Sequence, residues 1–240
     1  MRFVYLFLLL CGVGLCQPIA ALAQPTYVYI TIDDGPISGT KRLVDIAEKY
    51  RVRLSMLLVG KQVQNSTLHQ EWLDLAKKSA FVFLGNHSFS HAHGHYHAFY
   101  LKPKDVLEDF EKNKHVLDLK TNAARLPGRN MWIFNGHHKY DIANGISSAQ
   151  LLAANGYQVF GWDLEWEHDG KTGEPIQSVD DILNEIELVK EHAFTKGHVV
   201  LLTHDEMFKT KTEGGELIEL IQKLQQKGYV LRALDQYGQP

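Results

Sequence analysis

Short apolar runs alternate with amphipathic ones from Tyr27 to Arg232. Tyr27–Ile32, Leu54–Val59, Phe81–Leu84, Ala123–Leu126, Tyr157–Trp162, His198–Leu202 and Tyr229–Arg232 are too short for helices, and most are rich in aromatic or β-branched residues. Each predicts a strand. Between them Leu43, Ile46, Ala47 and Tyr50 fall at helical spacing, as do Leu68, Trp72, Leu75 and Ala76 after a Ser66 or Thr67 cap. Pro103 opens a helix carrying Val106, Leu107, Phe110 and Leu117, and Ala149–Ala154 predicts one stopped by Asn155-Gly156. Ser178 with Asp180 and Asp181 starts a helix through Val189, and Leu217, Leu220, Ile221 and Leu224 mark one ended by Gly228. Seven strands separated by helices predict an α/β fold with a mainly parallel sheet, closed into a barrel or left open and doubly wound. No linker, charge block or repeat divides residues 24–240, so a single domain is expected. The long stretches after Leu84, Leu126 and Trp162 are the candidate functional loops.

The N-terminus breaks this pattern. Phe3–Cys16 is an apolar run, Arg2 is the sole charge before Asp33, and Ala21-Leu22-Ala23 precedes Gln24. A signal peptide over residues 1–23 follows, with export to the periplasm or the extracellular space and no membrane span after cleavage. Both cysteines, Cys11 and Cys16, lie inside it, so the mature chain has no disulfide and its core, with or without a metal, must hold the fold. The formal net charge of −3 offers no case for nucleic acid or an anionic membrane as partner. The 13 histidines are the unusual figure, because they invite a search for metal ligands.

In parallel α/β architectures the C-terminal strand ends carry the site. Asp33-Asp34 follow the first strand, Asn86-His87-Ser88-Phe89-Ser90-His91 the third, Arg125-Leu126-Pro127-Gly128-Arg129 the fourth, Trp162-Asp163-Leu164-Glu165-Trp166 the fifth and Thr203-His204-Asp205 the sixth, whereas the strand starts hold ordinary residues. His87 and His91 are four apart, the spacing at which two imidazoles on one helical turn can chelate one ion. A carboxylate from Asp33 or Asp34 would complete a two-histidine, one-carboxylate set with open positions, suited to hydrolysis. A solvated metal-buffering tract through His93, His95 and His97 is the plainer reading of that segment. Adjacent aspartates on an extended chain point opposite ways, so one can bind metal while the other serves as base. Arg125 could orient the free aspartate, and His204 is a natural general acid. Trp132, Phe134, Trp162 and Trp166 could be core or could stack on sugar rings.

In this order the motifs resemble the polysaccharide deacetylase family, the NodB-homology domain of carbohydrate esterases. Thr31-Ile32-Asp33-Asp34-Gly35-Pro36 resembles its first motif, His87-Ser88-Phe89-Ser90-His91 its second, Arg125-Leu126-Pro127-Gly128 its third and Leu202-Thr203-His204-Asp205 its fifth. The resemblance implies a distorted (β/α) barrel of about seven parallel strands over 24–240. It implies Asp33 as base, Asp34, His87 and His91 as metal ligands, Arg125 as the residue that orients the base, and His204 as acid. The Gly128 amide is implied at the oxyanion and Leu202 in the acetyl pocket, with Arg129, Trp132 and Trp162 as further substrate contacts. The family's third motif carries an aromatic residue that is missing here, where Arg129 follows Gly128, so a differently shaped cleft is expected. The fourth motif leaves the partner of His204 open between Asp163 and Glu165. The implied activity is metal-dependent release of acetate from N-acetyl groups of a chitooligosaccharide, peptidoglycan or poly-N-acetylglucosamine, a hydrolysis of linear amide C–N bonds. Zinc is the implied ion, with cobalt, nickel or iron fitting the same ligands. The alternatives are an O-acetyl esterase on a xylan-like polysaccharide and a secreted metal- or glycan-binding protein with an inactive site.

Overall fold

A computed structural model describes residues 25–239, and the segment read as a signal peptide lies outside the described residues. Strand β1 (Tyr27–Asp33) is buried along all seven residues, so both of its faces need cover. The chain continues through α1 (Thr40–Tyr50), β2 (Leu54–Leu58), α2 (Thr67–Lys78), β3 (Val82–Asn86), α3 (Tyr96–Tyr100), α4 (Pro103–Val116) and β4 (Ala123–Ala124). It then forms β5 (Met131–Phe134), β6 (His137–Tyr140), α5 (Ile146–Ala154), β7 (Gln158–Val159), β8 (Leu164–Glu165), α6 (Val179–Val189), β9 (His198–His204), α7 (Lys211–Gln226) and β10 (Val230–Leu231). The predicted caps hold: Ser66 accepts from the His69 amide, Pro103 opens α4, and Ser178 and Asp181 form a reciprocal capping box.

Across the sheet the strands run β6-β5-β7-β4-β3-β2-β1-β9-β8, with β10 against the start of β1. Neighbours are parallel except at the β5–β6 hairpin and its junction with β7. The seven predicted strands stand as β1, β2, β3, β4, β7, β9 and β10, and the architecture is the distorted barrel rather than the open sheet. The hairpin lies in the stretch after Leu126 that the sequence marks as a loop. Its signal was Asn135-Gly136, which takes positive φ at both residues (49° and 79°) and joins Met131-Trp132-Ile133-Phe134 to the returning strand. The distortion lies between β7 and β8. One short stretch, Gln158–Glu165, pairs with β4 at its beginning and with β9 at its end, and so spans the seam that no regular ladder closes.

Strand alternation divides the core. Val28, Ile30 and Ile32 of β1 join Val199 and Leu201 of β9 and the apolar faces of α1, α6 and α7 outside the barrel. Tyr27 and Tyr29 face inward with Leu57, Trp132, Phe160 and Val200. Continuing that inward series, Thr31 and Asp33 on β1 and Leu202 and His204 on β9 belong to the interior at the C-terminal end. Register places Asp33 directly beside His204.

Just beyond β9, Asp205 ties the barrel to the loop that leads into α1. Its carboxylate accepts from the Gly39 amide at 2.7 Å and from the Thr40 hydroxyl. A Cβ on Gly39 would stand 1.9 Å from the Asp205 carbonyl oxygen, so only glycine permits this approach. Burial pushes the Asp205 carboxyl up to about 6, against the lowering effect of the bonds from Thr40, Gly39 and Ile37. A carboxyl whose folded pKa exceeds its unfolded value holds a proton more readily in the folded state. Its contribution is therefore full at low pH and is lost as pH rises from about 4 through about 6. Asp205→Asn is expected to remove this slope, worth about 3 kcal/mol, in urea unfolding compared at about pH 4 and about pH 7. An unchanged slope in the variant would assign the effect to other groups.

Candidate active site

Strand ends and the loops behind them converge on a pocket of about 230 Å³ at the C-terminal rim. It is lined by Asp33, Asp34, His87, His91, Tyr96, Leu126, Gly128, Asp141, Trp162, Glu165, Leu202 and His204. Asp33 is the last residue of β1, and Asp34 takes a left-handed φ of 74°. That turn breaks the extended alternation, so the two carboxylates converge instead of diverging. Asp33 Oδ2 and Asp34 Oδ1 both lie 3.5 Å from His87 Nε2.

The histidine pair also meets by a route other than the helical turn expected from its spacing. His87 follows β3 in a loop, Ser88 and His91 have positive φ (65° and 51°), and His91 opens a short 3-10 turn. The Ser88 hydroxyl accepts from the His91 amide and fixes the bend, which leaves the ring centroids 5.1 Å apart. His93, His95 and His97 lie beyond that bend and do not line the pocket.

Asp34, His87 and His91 each offer one donor atom, all within 4.8 Å of one another. His87 Nδ1 donates to the Arg125 carbonyl at 3.0 Å, which fixes the tautomer and leaves Nε2 bare. Asp34 Oδ1 sits 3.0 Å from His91 Nε2 yet out of line for a hydrogen bond, a buried oxygen with no well-aligned partner among the described residues. Burial alone would raise the Asp34 carboxyl, but His91 and His87 outweigh it and hold it below the usual carboxylate range. Burial lowers the His87 imidazole despite Asp33 and Asp34, which keeps it in the neutral, ligating form. An ionised carboxylate, a neutral imidazole with a fixed tautomer and an orphaned oxygen suit a divalent cation.

Arg125 is fully buried inside the barrel. One terminal nitrogen donates to Asp33 Oδ1 at 2.9 Å and to the Thr31 hydroxyl at 2.8 Å. The rest of the guanidinium donates to the carbonyls of Phe160 (3.2 Å) and Gly161 (2.8 Å) in the seam. The same planar fork therefore aims the first carboxylate and closes the sheet.

Of the two candidate partners of His204, Asp163 is committed elsewhere. Its oxygens accept from the amides of Phe194 (2.7 Å) and Val200 (2.9 Å), toward the opposite end of β9. Glu165 lines the pocket with His204; burial raises its carboxyl, against the lowering effect of His204. The expected substrate contacts divide. Gly128, Trp162 and Leu202 line the pocket. Trp132 does not: it is fully buried and stacked on Phe194 at 4.4 Å, so it is core. Arg129 is likewise turned away, donating to Asn144 Oδ1 at 2.7 Å and to two backbone carbonyls. Tyr96 and Asp141 also line the cleft, and no motif in the sequence points to either. Gly128, at φ +61°, makes room for Tyr96, since a Cβ there would stand 3.2 Å from its ring. The aromatic face missing after Arg125 is thus supplied from α3.

Residues 22–128 match a family model described as polysaccharide deacetylase. That region holds Asp33, Asp34, His87, His91, Arg125 and Gly128 and ends before Glu165 and His204. A chitin disaccharide deacetylase of Vibrio alginolyticus is 24% identical, covering 88% of this chain and 71% of that protein. Among solved structures, a Streptococcus mutans CE4 esterase superposes with a TM-score of 0.66 at 20% identity, covering 87% of this chain and 86% of that one. A CE4-family pseudoenzyme of Bacillus anthracis superposes with a TM-score of 0.59 at 17% identity, covering 88% and 65%.

Proposed function

The chain resembles the polysaccharide deacetylase family in its matched region, its motif order and its fold, and from that premise we propose that it removes N-acetyl groups from an N-acetylglucosamine glycan. The observation that carries this reading is the meeting, in one pocket, of the Asp34, His87 and His91 donors with an Arg125-held Asp33 and with His204. The likeness to a chitin disaccharide deacetylase supports the choice of substrate class.

Asp34, His87 and His91 would hold a divalent cation, zinc by its preference for two imidazoles and a carboxylate. When bound, the ion supplies a Lewis acid that polarises an acetyl carbonyl and acidifies water. Asp33, aimed by Arg125, takes the proton of the attacking water. The Gly128 amide donates to the oxyanion as it develops, Leu202 walls the acetyl methyl, and Trp162 and Tyr96 give flat faces for the sugar. His204 protonates the departing nitrogen, so the amide C–N bond breaks to give acetate and a free amine. Export under the 1–23 segment would bring the enzyme to such glycans.

Treatment with a chelator is expected to abolish acetate release from an N-acetylchitooligosaccharide, and zinc to restore it. The His87→Ala, His91→Ala double variant should bind no zinc and release no acetate; wild-type turnover by it would overturn the reading. A second reading, hydrolysis of O-acetyl esters on a xylan-like polysaccharide, is favoured by the fold shared with an esterase. An alcohol leaves with less help from an acid, so His204→Ala should spare an ester substrate and not an amide. The pseudoenzyme neighbour marks a third outcome, tight zinc binding with no acetate release from any glycan.

A further inference from the structure

Behind His204, outside the pocket lining, lies a pair of residues that the reaction as described leaves unused. The His168 ring packs on the His204 ring with centroids 4.7 Å apart and planes tilted by 50°. His168 Nε2 donates to Glu206 Oε1 at 2.9 Å. Both elements are anchored: an antiparallel bridge pairs His168 with Pro175 across its loop, and Glu206 sits in the 3-10 turn that directly follows His204. Lys209, from the end of that turn, also donates to the Thr172 carbonyl and pins the two segments together.

His204 has need of such a support. Its backbone is fixed at the end of β9, but among the described residues no group bonds to its buried Nδ1, so no hydrogen bond from them at that atom sets the ring angle. The charged groups that act on it from other elements are Asp34, just past β1, and Glu165 of β8, with Asp33 as its register neighbour. Asp33 and Asp34 already serve Arg125 and the histidine pair. Asp169 and Glu165 add negative potential around His168, alongside its Glu206 bond. The His204 ring is therefore held by a neighbouring ring that is itself held by a carboxylate two residues along from His204. This makes a closed triangle of positions 204, 206 and 168.

We propose that His168, fixed by Glu206, is a positioning residue for His204, holding its imidazole in the orientation that gives a proton to the leaving nitrogen. The proposal rests on the deacetylase reading above and adds to it a residue outside the four matched motifs. A misaimed acid harms an amide more than an ester, because an amine cannot leave unprotonated whereas an alkoxide leaves with less help. A residue that merely stabilised the fold would harm both alike.

The test compares wild-type, His168→Ala, His168→Phe and Glu206→Gln proteins, zinc-loaded, on an N-acetyl glycan and on an activated acetyl ester. His168→Ala is expected to lower kcat on the amide by at least about tenfold, with KM within about twofold, and to lower ester turnover by less than about threefold. His168→Phe, which restores a ring against His204, should recover part of the amide rate. Glu206→Gln should fall between wild type and His168→Ala. Equal losses on amide and ester, or no loss in His168→Ala, would overturn the proposal. A second readout is independent of activity: ring nitrogen and carbon NMR shifts of His204 should report one orientation in the wild type and averaging in His168→Ala. If the wild type released no acetate, the deacetylase reading would fall. The positioning role would still be decided by those shifts, and identical spectra would reject it.

Discussion

Asp33→Asn is expected to lower acetate release by at least about a hundredfold while zinc binding stays intact. Asparagine keeps the shape and can still accept from Arg125, but it cannot take a proton from water. The geometry makes this a demanding test. Asp33 Oδ2 lies as close to His87 Nε2 as Asp34 Oδ1 does, 3.5 Å in each case, so distance alone does not separate base from ligand. What separates them is what else they touch. Asp33 is bonded to Arg125, whereas Asp34 Oδ1 has no well-aligned partner among the described residues and also faces His91. Asp34→Asn should show the converse, an emptied metal site with activity restored only by a large excess of zinc. Zinc stoichiometry measured beside kcat decides the matter. Loss of zinc from Asp33→Asn would make Asp33 a ligand and leave the base unassigned.

Arg125→Met should destabilise the fold by about 3–5 kcal/mol, the range for breaking a buried ion pair from one side. The loss would have two sources. Asp33 would be left as an uncompensated buried charge, and the Phe160 and Gly161 carbonyls would lose their donors in the seam. Adding Asp33→Asn to Arg125→Met should recover the first part and not the second, because an amide carries no charge while the carbonyls remain unpaired. Urea unfolding of the two single variants and the double measures both. A loss below about 1 kcal/mol in Arg125→Met would mean that solvent enters the barrel and solvates what the arginine leaves.

Much of the site was legible because it rests on strand ends. A run such as Tyr27–Ile32 ends where its apolar residues end, and the parallel rule tells which end to inspect, so Asp33, Arg125 and His204 could be read before any geometry. What the sequence left hidden depends on backbone that departs from regular elements. The convergence of Asp33 and Asp34 needs the left-handed Asp34, and the His87–His91 pair needs the bend at Ser88. Periodicity is blind to both. Trp132 was ambiguous for a related reason. With the β5–β6 hairpin read as a loop, its inward face had no sheet to belong to, whereas in the hairpin it alternates into the barrel and stacks on Phe194. Tyr96 and His168 lie against residues 32 and 36 positions away in the chain, Gly128 and His204, and no local pattern announces such contacts.

The central position of β1 bears on the order in which the molecule can assemble. Tyr29 bonds to His198 on the adjacent strand at 2.8 Å, across 169 residues of chain. The strand made first thus waits for β9, among the last to emerge from the ribosome, and closing so long a loop makes that pairing a late event. The three metal-ligand candidates, by contrast, all lie between residues 34 and 91, in the loops that follow β1 and β3. A nascent or truncated chain ending before β9 would hold those ligands and His168 without His204 or Glu206. Affinity for the ion and competence for the chemistry would then arrive at separate times, and the barrel would hydrolyse nothing until its last strands had docked.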